Sequence, residues 1–304
     1  MVPAAEPRSY YGRPVIKEPI WTPEIPVYFF TGGLAGASAG LAFVARLSGR
    51  KKLARVATGN AFAGVAVSPL LLISDLGVPK RFLNMLRVFK VTSPMSVGSW
   101  IITVEGGLLV VTAAHEFLGW FPKPLARLFE AIAALLGMPL ATYTAALIAN
   151  TSVPVWHEGR RELAFAFAGG SAMAAGGAAA LLASDQASPA RRLAIIGAVT
   201  EGVAMEYSKR RMGMVAEPYS TGVAGKLEKA TMAFAGGGAA ALLAAEAGRS
   251  RGIGRLGSAL VLVGSMLGRW MVFTAGKQSA AAPQYTIEPQ RERREKGTLP
   301  SSTA

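Results

Sequence analysis

Cysteine is absent from the 304 residues, and histidine occurs only at positions 115 and 157. Without a thiol the chain forms no disulfide and offers no thiolate ligand to zinc or to an iron–sulfur cluster. Charge is scarce as well. Only 16% of the residues are charged, against roughly 25% in a soluble domain. The first two dozen residues also lack the apolar core of a signal peptide, so the first apolar helix is expected to direct insertion itself.

What fills the chain instead is apolar: 51% of residues are hydrophobic, with abundant glycine and alanine. Apolar runs near the ~20 residues needed to cross hydrocarbon recur at 25–47, 54–75, 97–118, 125–148, 161–184, 190–208, 229–247 and 254–275. The fold expected is therefore an all-α integral membrane protein with eight transmembrane helices. Phe167-Ala-Gly-Gly, Phe234-Ala-Gly-Gly and Phe30-Thr-Gly-Gly each open a glycine-rich helix. A short basic loop and a second helix follow each of them. Helices paired in this way imply two four-helix halves, 25–148 and 149–275, with glycine allowing close backbone approach; chance similarity among Gly/Ala-rich helices is the alternative. Residues 1–24 read as a surface arm with Tyr10, Tyr11 and Trp21 as interfacial anchors, and 276–304 as a flexible polar tail.

The formal charge of +14 lies mostly in loops and tails. Basic loops beside anionic lipid account for it, and no nucleic-acid partner is expected. Eight spans put both termini on one face, here the terminal face. Lys and Arg divide almost evenly between the two faces once the tails are set aside, so the positive-inside rule gives no orientation. The terminal-face loops are longer and mixed in charge, which favours that face being outside the cell membrane. The helix plan puts His115 and His157 on opposite faces. A haem held by two histidines is thereby excluded, as is a histidine-rich metal site. If the chain handles electrons, its partners are a diffusible quinone and an iron–sulfur cluster in another subunit.

Ionisable groups at membrane depth default to pairing or to function. Arg269, Glu206 and Glu201 fall towards the same end of their helices, and a structural ion pair is the plain reading. Glu105 has no basic partner at its depth, which leaves a proton relay or a hydrogen-bonded neutral carboxyl. Glu24 to Tyr28, Asp75 and Tyr143 all come to the terminal face. Together they offer a quinone head a hydrogen-bonding group at each carbonyl, an apolar slot and a proton exchanger. Tyr143 as a simple interfacial anchor is the alternative. The stretch between Asp75 and Trp100 carries an amphipathic piece, Phe82, Leu83, Leu86 and Phe89 among Lys80, Arg81, Arg87 and Lys90, suited to a membrane surface.

The wording of that stretch, Gly77-x-Pro-x-Arg-Phe-Leu-Asn-Met-Leu followed by Ser93-Pro-Met-Ser-x-Gly-Ser-Trp, resembles the NrfD family of quinone-handling membrane subunits of polysulfide reductase-like complexes. Trp21-Thr-Pro-Glu, Gly32-Gly33, Tyr143-Thr144, Pro154-Val-Trp156 and Leu267-Gly-Arg269-Trp270 extend the resemblance over most of the chain. It implies an eight-helix subunit of the bacterial or archaeal cell membrane, docked to a ferredoxin-like iron–sulfur subunit and through it to a molybdenum- or tungsten-dependent catalytic subunit. Menaquinone or ubiquinone would be its substrate. By the same resemblance Tyr143 matches a tyrosine that contacts the quinone head, and Tyr28 stands near a position where some members carry histidine. Asp75 would exchange protons, with Glu24 and Glu105 assisting, and Arg81 would orient the head group or dock the partner. A secondary transporter, or a structural tether without quinone chemistry, remain the rival readings.

Overall fold

The computed structural model describes residues 14–183, 186–248 and 250–295, and among these it contains helices and no strands. Eight long helices carry the fold: α1 (Glu24–Leu47), α2 (Lys51–Asp75), α3 (Pro94–Leu118), α4 (Lys123–Ala149), α5 (Arg160–Leu182), α6 (Ser188–Met212), α7 (Gly222–Glu246) and α8 (Arg251–Ala281). Their boundaries follow local chemistry. Ser93 caps α3, its hydroxyl accepting from the Ser96 amide, with Pro94 at the first helical position, and left-handed Gly119 ends the helix. Ser250 caps α8 in the same way through Gly252.

All eight apolar runs are thus helical, and six are long and apolar enough to cross a membrane: α1 to α5 and α8. The protein is a multi-pass membrane protein. The two that fall short are α6 and α7, which carry Glu201, Glu206, Lys209, Lys226 and Glu228 within their lengths.

Helix α1 packs against α2 and α4, and α3 against both of these. In the later part of the chain α5 packs against α6 and α8, and α7 against α8 and α6. Helices α1 and α4 meet α5 between the two groups. Where α1 crosses α4 the backbones touch. A Cβ on Gly36 would stand 2.2 Å from the Gly137 carbonyl oxygen, and one on Gly137 would stand 2.4 Å from that of Gly36. The Phe-x-Gly-Gly repeat is less uniform than its wording. Gly33 faces Ser171 and Gly170 faces Arg269, whereas Gly236 and Gly237 of α7 face open space.

Helix α1 begins and α8 ends at the same face of the bundle, tied by Lys277 Nζ to Glu18 at 3.2 Å. Lipid-like exposure of Leu70, Leu135, Phe165, Ile196 and Leu243 marks the outer surface. The tail expectation needs correction within the described residues. Helix α8 runs on to Ala281, and a further helix, Gln284–Glu295, packs with Tyr285 buried and Arg293 paired to Glu158 at 2.5 Å. Polar composition concealed this segment, whose attachment includes the buried Tyr285 and the Arg293–Glu158 pair. The beginning of the surface arm, with Tyr10 and Tyr11, and residues 296–304 lie outside the described residues.

Replacing Gly36 by alanine forces α1 and α4 apart and is expected to destabilise the folded chain by about 1–3 kcal/mol. Thermal unfolding in detergent checks this against Gly40→Ala, where nothing stands within 4 Å and no loss is expected.

Candidate functional site

At the face where α1 begins, four helices and the surface segment enclose a cavity of about 60 Å³, with Tyr28, Asp75, Ser99 and Tyr143 among its lining. Trp21, Ile25, Phe29, Leu72 and Leu147 supply apolar walls, and Met85 and Met95 close it beside Ser99. Tyr28 is fully buried and its hydroxyl has no hydrogen-bond partner. The Tyr143 ring meets it edge-on, with centroids 6.4 Å apart. A phenol left without a partner in an apolar surrounding is costly, so a residue lining the cavity carries an unspent donor.

Tyr143 reaches this place because residue 98 has no side chain: a Cβ there would stand 2.0 Å from the tyrosine ring. Asp75 ends α2, an unfavourable location for a negative charge at a helix C-terminus. The carboxylate is compensated across the bundle, where its Oδ1 accepts from the Thr22 amide at 3.0 Å and the Thr22 hydroxyl at 2.6 Å. It therefore anchors the arm as well as facing the cavity.

The remaining expected site residues stand elsewhere. Glu24 opens α1 one turn before Tyr28, where a carboxylate suits the helix N-terminus; its Oε2 is buried without a partner, and it does not line the cavity. Arg81 is exposed on the short turn Pro79–Arg81 and is likewise outside the lining. The turn faces Arg81 away, and Met85, four residues on, is the part of the segment that reaches inward. Glu105 lies deeper on α3, fully buried.

The expected trio of Arg269, Glu206 and Glu201 reduces to a facing pair. Arg269 is 1% exposed, lies 4.2 Å over the Phe167 ring and donates to the Phe167 carbonyl at 2.7 Å. A Cβ on Gly170 would be 2.6 Å from its Nη2 and 2.9 Å from either Glu201 carboxylate oxygen. The two charges thus converge over that glycine. Glu206 is five residues beyond Glu201 and so is turned well round the helix; it pairs with Lys209 at 3.1 Å and Arg210 at 2.8 Å.

Several contacts near this face had only faint signals in the sequence. Trp21 stacks on Trp156 at 5.6 Å, and the Trp156 indole donates to the Val272 carbonyl at 2.8 Å. Gly276 leaves room for that ring, since a Cβ there would lie 2.0 Å from it. Three separate motif pieces, from the arm, the α4–α5 connection and α8, are therefore one seam. His115 sits in the last turn of α3 and His157 in the short helix Pro154–Glu158. Among the described residues no cluster of three or more His, Asp or Glu side chains is arranged to hold a metal ion.

A multi-pass helical bundle with a partly polar, aromatic cavity opening at one face is the class of protein that these features define. The chain belongs to the NrfD family: residues 16–192 match the family described as polysulphide reductase, NrfD. Membership puts it among the membrane subunits of oxidoreductase complexes. No curated protein matches the chain.

Asp75→Ala leaves the Thr22 amide and hydroxyl without their acceptor, a loss of about 1–3 kcal/mol for the arm's attachment. Limited proteolysis should cut near Trp21 faster in this variant while the helices stay protected.

Proposed function

We propose that the chain is the quinone-exchanging membrane subunit of a multi-subunit oxidoreductase, with the head group bound between Tyr28 and Tyr143. The observation that carries this reading is the buried, unpartnered hydroxyl of Tyr28, a residue that lines a cavity together with Asp75, Ser99 and Tyr143. One phenol donates to each quinone carbonyl, and Asp75, at the membrane surface, exchanges protons with the water beyond. The NrfD family is associated with quinones in general, which supports the choice of ligand; menaquinone and ubiquinone share the head-group chemistry used here.

As it stands the cavity is smaller than a substituted quinone ring. Its Met85 and Met95 walls are unbranched, adaptable side chains, and Met95 is 47% exposed. Rotation of these two opens the site towards the exposed apolar side chains Leu83, Val88 and Phe89 of the surface segment, where a quinone tail leaves for the bilayer. Electrons pass at this face to a ferredoxin-like iron–sulfur subunit, and a molybdenum- or tungsten-dependent subunit completes the complex. Family members usually have such partners.

Helices α6 and α7 complete eight spans in this reading, because Arg269 of α8 answers the Glu201 charge that lowers the apolarity of α6. The helices then form two groups of four, both termini lie on one side of the cell membrane, and the quinone face is the outer one. Arg81, with Lys80 and Arg87, serves partner docking rather than head-group orientation.

Fluorescence-quenching titration of the purified chain with a quinone analogue tests the site. Tyr143→Phe and Tyr28→Phe should each weaken binding about 3- to 10-fold, the equivalent of one hydrogen bond. Gly98→Ala, which drives the Tyr143 ring out of place, should weaken it further. Saturable binding indifferent to all three would move the site elsewhere, and no binding to folded wild-type chain would leave the tether or transporter reading.

A further inference from the structure

A groove of about 810 Å³ runs along the outer surface where the two groups of helices meet. Helices α1 and α4 line it from one group and α6 from the other, with Ala168 of α5 among the lining. It shares no residue with the aromatic cavity. Its lining is small or apolar apart from Thr142 and Arg192, and Val44, Met138 and Ile196 are more than half exposed. The Thr142 hydroxyl is occupied by the Met138 carbonyl at 3.0 Å, which leaves Arg192. A Cβ on Gly40 would meet nothing within 4 Å, so at that point of α1 there is room for a larger side chain.

The groove has the depth of one leaflet. On α1 it takes the second half of the helix, Gly36 to Val44, a rise of roughly 12 Å. Half of the hydrocarbon core is about 15 Å thick. Helix α4 runs the other way and contributes Ala134 to Thr142, and α6 contributes its first turns, Pro189 to Ile196. The space therefore extends from the face where α1 ends to about mid-membrane. A partner's transmembrane helix would need the full thickness, whereas an acyl chain of one leaflet needs only this much.

At the surface end of the groove the charge is positive. Arg192 shares the Glu246 carboxylate with Arg191, at 3.1 and 2.6 Å, and Ser188 donates to the same group at 2.6 Å. Two guanidiniums against one carboxylate leave a net positive charge. Arg192 carries it outermost, its side chain 72% exposed against 21% for Arg191. Arg50 and Lys51 are exposed on the neighbouring α1–α2 loop. The Leu53 amide ties that loop to the α5–α6 turn, donating to Gln186 Oε1 at 3.1 Å. Arg46 stands apart from this cluster, since it is held by Glu116 at 2.8 Å and Glu130 at 2.7 Å. Cations at headgroup level over an apolar slot between helices suit an anionic lipid.

We propose that the groove binds one anionic phospholipid from the leaflet at the face where α1 ends. An acyl chain lies beside Gly36 and Gly40 of α1 and Leu193 of α6, and the phosphate meets Arg192. Protein contact between the two groups of helices runs through α5, which packs on α1 and α4; the lipid completes the joint on the outside. The site is independent of the quinone reading.

Native mass spectrometry of the full-length chain tests it, with protein released from nanodiscs of equal parts phosphatidylglycerol and phosphatidylcholine with matched acyl chains. Wild type should retain one phosphatidylglycerol, preferred over phosphatidylcholine by about fivefold, the effect of one cation at headgroup level. Arg192→Gln should abolish the preference. Gly40→Leu fills the groove and should remove the retained lipid itself. Arg255→Gln loses an exposed arginine near the start of α8, at the same face but outside the groove, and should behave as wild type. Thermal unfolding in detergent checks that each variant is folded, and the exposed Arg192 keeps the test decisive should Gly40→Leu not fold. Equal retention of the two lipids overturns the site, as does a preference lost equally in Arg255→Gln. A folded Gly40→Leu chain that still holds its lipid overturns the groove as its seat. A folded wild-type chain that carries none overturns the proposal and leaves the groove to a protein partner.

Discussion

The contact between Gly36 and Gly137 is the constraint on which the site depends. In hydrocarbon no hydrophobic drive presses helices together, so close approach has to come from small residues and direct packing. Here the absence of two side chains brings α1 and α4 into backbone contact. Tyr28 stands about two turns from that crossing on α1, and Tyr143 under two turns from it on α4, in the same direction. Their rings meet because the crossing fixes the angle and spacing of the helices that carry them. Gly98 then lets α3 come up against the Tyr143 ring, closing the third side. The polar chemistry is supplied by tyrosine, serine and aspartate, but glycine decides that they share one space.

Charge is held differently in the two groups of helices. Among the first four helices Asp75 is held on one oxygen and the deeper Glu105 on neither, while Glu130 is held by Arg46 and Arg127. In the later helices most ionisable groups are matched, although Glu201 Oε2 and Arg269 Nε keep no hydrogen-bond partner. Lys209 bridges Glu206 and Glu228, Arg211 holds Glu162, and Arg269 stands over Phe167 opposite Glu201. Phe167 in turn touches Phe29 at 5.6 Å, so the buried guanidinium and the cavity wall belong to one continuous aromatic stack. The later helices read as a support for the cavity that the earlier ones enclose.

Much of this was legible in the chain itself. Apolar run length marked all eight long helices, within about four residues for α1 to α6, while the start of α7 and the end of α8 were missed by seven and six. Tyr28, Asp75 and Tyr143 could be brought to one face by helix direction alone. Rotation about each helix was not legible, and that is where the differences arise. It separates Glu206 from Glu201, turns Arg81 outward while Met85 points in, and sets Ser99 in the lining. Arg46, Glu116 and Glu130 resembled ordinary charges at helix ends, and nothing in their local wording shows that three helices bring them together. The Trp21–Trp156 stack was hidden for the same reason, its rings being far apart in the chain and meeting only through the fold.

The facing of Glu201 and Arg269 over Gly170 has a consequence for how the protein is made. Glu201 lies on α6 and Arg269 on α8, with the whole of α7 between them. On the eight-span reading α6 therefore arrives at the bilayer before its counter-charge has been synthesised, and it is one of the two long helices too polar to cross by composition alone. On that reading the last three helices would enter the bilayer as a unit, the charge of α6 being met only once α8 has been made.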